Sequence, residues 1–105
     1  MGYYVNAYGT IKVKNAADVD TVADIIEKLS IFEEVSVDGN EIEVLGYIKY
    51  YPEDYEVMYE DIADYVAGGE VEFTGDDNAQ WKHVYEGNKW VEYDGEIQWV
   101  NPHPI

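Results

Sequence analysis

The chain has no cysteine, only two histidines and three prolines, and six basic residues, all lysine, set against 23 acids. Each shortage closes a class of chemistry. Without cysteine there is no disulfide framework, no zinc–thiolate site and no thiol nucleophile. Without arginine the usual bidentate phosphate ligand is missing, which counts against enzymes of phosphorylated substrates. The serines are Ser30 and Ser36, neither beside a residue that would activate it as a nucleophile. No apolar run approaches the roughly 18 residues of a membrane span, and the start Met1-Gly2-Tyr3-Tyr4-Val5 lacks a basic segment leading into an apolar one. The expectation is a soluble cytoplasmic chain.

What the sequence does hold is apolar and aromatic matter in a field of acid. Of 105 residues, 47% are hydrophobic and 15% aromatic, enough for one packed domain over 1–105 and too much for a disordered chain. The net charge of −17 repels nucleic acid and anionic membrane and draws in basic protein surfaces. Direct nucleic-acid binding and membrane binding are therefore not expected.

From Tyr3 to Lys14 apolar and polar residues alternate, with Val5, Ala7, Gly9, Ile11 and Val13 on one face of a half-buried strand. The small pair Ala7 and Gly9 is expected to let a helix approach that face. Asn15 reads as a helix cap with Asp18 three residues on, and Val19, Val22, Ala23, Ile26 and Leu29 form the apolar stripe of a helix over about 16–30. Runs 34–37 and 41–51 flank Asp38-Gly39-Asn40 and predict a hairpin, with Ile42, Val44, Gly46 and Ile48 inward and Leu45, Tyr47, Lys49 and Tyr51 outward. Pro52 starts a second helix, which Gly68-Gly69 is expected to stop. Val71 to Phe73, Trp81 to Tyr85, Lys89 to Tyr93 and Glu96 to Val100 then read as short aromatic strands between Gly, Asn and Asp corners. The prolines of Asn101-Pro102-His103-Pro104-Ile105 predict an irregular tail.

The order strand, helix, strand, strand, helix, strand predicts an α+β fold. It matches a ferredoxin-like split βαβ unit (β-α-β-β-α-β) over 1–75, with helices on one face of an antiparallel sheet, a C-terminal β-meander over 76–100 and a tail over 101–105. The later strands are expected to cover the outward tyrosines, or those tyrosines to pack against another copy.

Residue by residue, catalytic and metal chemistry find little support. His83 in Trp81-Lys82-His83-Val84-Tyr85 reads as a packing or surface residue, and His103 as part of the tail. Gly75-Asp76-Asp77-Asn78 offers oxygen ligands but not the alternate acids and distal glutamate of a calcium loop. There is no glycine-rich phosphate loop, and among 23 acids no pair stands out for glycosidic chemistry. No enzyme activity, cofactor or metal is expected.

The second helix carries the functional expectation. Tyr55, Met58, Tyr59, Ile62, Tyr65 and Val66 recur at helical spacing as its packed side, while Glu53, Asp54, Glu56, Glu60, Asp61 and Asp64 crowd the other with no base among them. Glu53, Glu56, Glu60 and Asp64 fall in one stripe, with neighbouring Cβ atoms about 5–6 Å apart and a cost of roughly 0.2–0.5 kcal/mol per exposed like-charge pair. A solvated face that keeps the chain soluble would show the same pattern. A stripe that imitates a phosphate backbone would present it to a basic partner.

In size, acidity and tyrosine content, and in the run from Val71-Glu72-Phe73-Thr74-Gly75-Asp76-Asp77 through Trp81, Trp90 and Trp99, the chain resembles small acidic proteins of phages and mobile elements. Among these are anti-restriction and anti-CRISPR inhibitors that mimic DNA. The resemblance implies a non-enzymatic inhibitor of a basic, nucleic-acid-binding protein such as a nuclease, acting in the host-cell cytoplasm. An immunity protein that neutralises a toxin would share the acid surface. The alternative is a structural or assembly module forming a homo-oligomer through the tyrosine-rich sheet face, and a two-carboxylate hydrolase comes last.

Overall fold

The computed structural model describes residues 3–95 and 99–104. Strand β1 (Tyr4–Val13) leads through a short 3-10 helix (Ala16–Asp18) into helix α1 (Val19–Lys28). Strands β2 (Glu34–Asp38) and β3 (Glu41–Lys49), helix α2 (Pro52–Ile62) and strands β4 (Val66–Gly75), β5 (Gln80–Glu86), β6 (Lys89–Gly95) and β7 (Trp99–Pro104) follow. The strands form one sheet in the order β2-β3-β1-β4-β5-β6-β7, and every pairing is antiparallel. The α+β class and the pairing of consecutive C-terminal strands are as expected.

β1 sits in the middle because both its neighbours read its alternation. Ile11 lies opposite Ile42 of β3 and Gly69 of β4, and Val5 opposite Ile48 and Gly75. The inward row Val5, Ala7, Gly9, Ile11 and Val13 is buried, together with Ile42 and Val44 of β3 and Val71 and Phe73 of β4. Over this face lie Val22 and Ile26 of α1 and Tyr55, Met58, Tyr59 and Ile62 of α2 in the same core. Fully burying one such side chain contributes about 1.5–3 kcal/mol, so the two helical stripes are what fix the helices to the sheet.

Asn15 caps the 3-10 turn, its Oδ1 accepting from the Ala17 N–H at 3.0 Å, whereas Asp18, the N-cap of α1, makes no side-chain cap bond. The first turn is 3-10, and the α-helix proper begins at Val19. The β5–β6 turn is made by Gly87 and Asn88, both at positive φ (60° and 65°), the two-residue geometry that matches the twist of a hairpin.

Three expectations are corrected. Helix α2 ends at Ile62, not at Gly68-Gly69: Tyr65 N–H donates to the Ile62 carbonyl and Lys14 N–H to the Tyr65 carbonyl, so the chain has already turned back beside β1. Tyr65 and Val66 suit a strand as well as a helix, and pairing with β1 decides between them. Gly68 and Gly69 thus lie within β4, opposite Lys12 and Ile11. A Cβ on Gly69 would meet Trp90 Cη2 at 2.9 Å and Ile11 Cα at 3.2 Å. Gly69 is therefore a packing glycine rather than a helix stop.

The glycine at position 9 likewise makes room for a strand and not for a helix. An added Cβ would strike the Glu70 carbonyl oxygen and lie 2.7 Å from Val71 Cα, both of β4. Third, the expected irregular tail pairs with β6: Val91 lies opposite Pro104 and Glu92 opposite His103. Prolines two residues apart remove N–H groups from one edge only, which an outermost strand tolerates. Of the expected strand 96–100, residues 96–98 lie outside the described residues, as does residue 105 of the expected tail.

The outward face of the sheet is open. Tyr4, Tyr8, Leu45, Tyr47 and Tyr51 are exposed, so the later strands extend the sheet sideways instead of covering these tyrosines.

Candidate functional site

Helix α2 is positioned by its sequence at both ends. Tyr51 is its N-cap in extended conformation and makes no side-chain cap bond, so Pro52 at the first turn, which has no N–H to satisfy, begins the helix instead. Tyr55, Met58, Tyr59 and Ile62 turn inward, and Glu53, Asp54, Glu56, Glu60 and Asp61 are exposed. Asp64 lies past the C-cap Ala63, in the turn to β4, so it is exposed but not part of the helical stripe. The helix thus assembles five of the six expected residues, with Asp64 following on from its end.

Electrostatics along this helix are uneven. Glu53 and Asp54 sit in its first turn, where the helix dipole favours negative charge. Glu60 and Asp61 sit near its C-terminal end, where the dipole disfavours it, and the last turn has no basic residue. Among the described residues no ion pair engages any of the six acids; the Lys82–Glu70 pair joins β5 to β4 instead. Val57, 47% exposed, is an apolar side chain in the middle of this acid.

The neighbouring helix adds to the same side. α1 touches α2, and its Asp20, Asp24 and Glu27 are exposed. Between α2 and the β5–β6 turn runs a groove of about 450 Å³, with Glu56, Tyr59 and Glu60 from the helix, its C-cap Ala63, and Asn88, Lys89 and Trp90 from the hairpin. It sets a lysine and two carboxylates around buried aromatic rings, Tyr59 and Trp90 being stacked with centroids 4.1 Å apart.

Beneath the acids lies a polar path that sequence reasoning missed. His83, taken for a packing or surface residue, is only 2% exposed. Tyr59 Oη is 2.6 Å from His83 Nδ1, and His83 Nε2 is 3.0 Å from Glu92 Oε1. Burial pushes the Tyr59 phenol well above its ordinary range, so it keeps its proton and donates to Nδ1. His83 then carries its own proton on Nε2 and donates it to Glu92. The three residues tie α2 to β5 and β6. Neither serine lies on the elements that carry them: Ser36 is on β2 and Ser30 follows α1, and β3, β1 and β4 separate β2 from β5. The alternation Trp81, His83, Tyr85 would have shown that His83 faces inward; nothing local points to Glu92 as its partner.

The turn after β4 uses its acids internally. Asp76 accepts from the Tyr47 hydroxyl at 2.8 Å, and Asp77 from the Tyr3 hydroxyl at 2.5 Å and the Ala79 N–H at 3.1 Å. The Tyr3 hydrogen bond holds the Asp77 carboxyl below its usual value. Among the described residues no group of three or more His, Asp or Glu side chains could hold a metal ion, and no helix is long and apolar enough to cross a membrane. No protein-family model matches the chain, and no curated protein or solved structure shows significant similarity to it.

Proposed function

We propose that the chain is a non-enzymatic acidic binding protein that engages a basic surface of a nucleic-acid-binding protein, its carboxylates standing in for phosphates. One observation carries this reading: the exposed acids of α2 lie on one rigid helix with no ion pair among the described residues, next to further exposed acids of α1. A helical stripe spaces its charges by about 5–6 Å between Cβ atoms, of the same order as the roughly 3.4 Å per charge along one strand of B-DNA. Lysines and arginines arranged to grip a duplex would meet carboxylates at comparable intervals.

Energetics separate this reading from plain solubility. Acids spread anywhere on the surface keep a protein soluble, whereas Glu60 and Asp61 sit where the helix dipole resists them. Val57 supplies an apolar contact inside the charged field, the kind of centre that steering charges alone do not provide. Charge attraction speeds the encounter and falls with salt.

Within this reading the first six elements form a ferredoxin-like unit, β-α-β-β-α-β, that serves as the frame for the acid face, and β5 to β7 continue it as a meander. The strand order β2-β3-β1-β4 supports that assignment. A phage or mobile-element inhibitor working in the host cytoplasm, and an immunity protein against a basic toxin, are the two biological settings that fit such a surface. A homo-oligomer through the sheet face would instead have to bring together copies that each carry −17.

Capture of partners from a nuclease-treated bacterial lysate tests the proposal. A basic nucleic-acid-binding protein should be retained at low salt, released at high salt, and absent when Glu56, Glu60 and Asp64 are changed to lysine. Retention on that charge-reversed variant would refute the helix-centred reading.

A further inference from the structure

The outer face of the sheet, on the opposite side from the helices, already holds one cation between a ring and a carboxylate. Lys82 Nζ lies 2.9 Å from Glu70 Oε1 and 5.7 Å from the centroid of the Tyr93 ring, its cross-strand partner. Lys49 Nζ is similarly placed, 5.9 Å from the Tyr51 centroid. A tyrosine ring face attracts a cation within about 6 Å, so this surface is built to receive one.

The same ingredients recur over β1 and β3. Tyr8, 56% exposed, has Leu45 across from it on one side and Glu72 on the other. Glu43, opposite Thr10, is its diagonal neighbour, within reach of a long side chain lying over Tyr8. Tyr47, 49% exposed, stacks on Tyr4 with centroids 5.4 Å apart and is anchored by its hydroxyl to Asp76. Beside Tyr8 the face dips into a groove of about 470 Å³ where Gly68 contributes no side chain, with Lys12, Glu70 and Glu72 also on its walls.

We propose that this face, centred on Tyr8, Leu45 and Tyr47, is a second docking surface, and that its occupant is a protein segment in which arginine or lysine alternates with apolar residues. Rings and Leu45 take the apolar side chains, and Glu43 and Glu72 face the cations, Glu70 being already paired with Lys82. Charge selects this occupant over the others that aromatic sheet faces can hold. A nucleic acid would bring phosphates against these glutamates, and a second copy would bring another −17. The surface is separate from the α2 acids, so it stands or falls independently of charge mimicry there.

A titration of isotope-labelled protein with an alternating leucine–arginine octapeptide, followed by NMR, tests it. Backbone resonances of β1 and β3 around Tyr8, Leu45 and Tyr47 should shift. The double variant Tyr8→Ala with Tyr47→Ala, checked for an unchanged circular dichroism spectrum, should bind the peptide about tenfold more weakly or less still, the order expected for losing two cation–ring contacts. Reversal of Glu56 and Glu60 to lysine should leave the β1 and β3 shifts in place. Shifts confined to α1 and α2, or equal peptide affinity in the tyrosine variant, would overturn the proposal. So would concentration-dependent dimerisation through these residues without peptide, or a single-stranded oligonucleotide that binds there more tightly than the peptide.

Discussion

At the scale of the single residue, Tyr59 has two tasks: it stacks on Trp90 and gives its hydroxyl proton to His83. Tyr59→Phe keeps the ring and leaves His83 Nδ1 buried without a donor, at a cost of about 1–3 kcal/mol. Urea denaturation should show that loss, and an unchanged midpoint would mean that the bond contributes nothing. A second residue-level test is Gly9→Ala. The new methyl would meet β4 backbone and the stiff Val71 side chain, so destabilisation of about 1–3 kcal/mol, the range for overpacking, is expected in the same measurement. Position 9 was recognisable as a site of close approach because a glycine interrupts an apolar alternation. That the approaching group is a strand was not recognisable, since it depends on the register of β1 against β4, which no local pattern encodes. The partners of His83 were hidden for the same reason, lying on α2 and β6.

Helix α2 shows at the scale of the element how the fold draws on one face and leaves the other to the proposed function. Its apolar stripe was legible from spacing alone, and Tyr55, Met58, Tyr59 and Ile62 are buried as that spacing requires. Its end was not legible, because Tyr65 and Val66 continue the helical period while also suiting a strand, and the antiparallel neighbour β1 settles the matter. The expected acid row therefore loses Asp64 to the turn but keeps the other five residues in helical register. Removing acid from the C-terminal end should help the fold. Asp61→Lys is expected to stabilise the protein by about 0.3–1 kcal/mol at low ionic strength, with the gain shrinking as salt is added. The same variant should weaken partner binding. If thermal denaturation instead shows it destabilised, the helix-dipole account of this end is wrong. β7 makes the converse point: its prolines argued against regular structure, and its place at the sheet edge makes them tolerable.

For the whole molecule, the aromatic core responds to the alkaline end of the pH range and the acid surface to salt. Burial raises the Tyr50 phenol to about 12 and the Tyr59 phenol well above its ordinary value. An unfolded tyrosine titrates near 10, so between about 10 and the raised value the folded chain binds more protons than the unfolded one. Stability is then fully present below pH about 10 and falls as pH rises towards 12 and beyond. Denaturation midpoints measured across that range should decline, and a flat profile would mean that these phenols are not shielded. At neutral pH the −17 surface makes the compact state repel itself, and added salt should raise stability by screening.

That same charge is central to the functional account, which claims that the chain occupies a site made for a duplex. The direct measurement is competition: a fluorescent DNA duplex is bound to the captured basic partner, and its anisotropy is followed as this protein is added. The account predicts that anisotropy falls to that of free DNA as the protein displaces the duplex, and that the variant with Glu56, Glu60 and Asp64 changed to lysine fails to displace it. A rise in anisotropy, with protein and DNA held on the partner together, would contradict it.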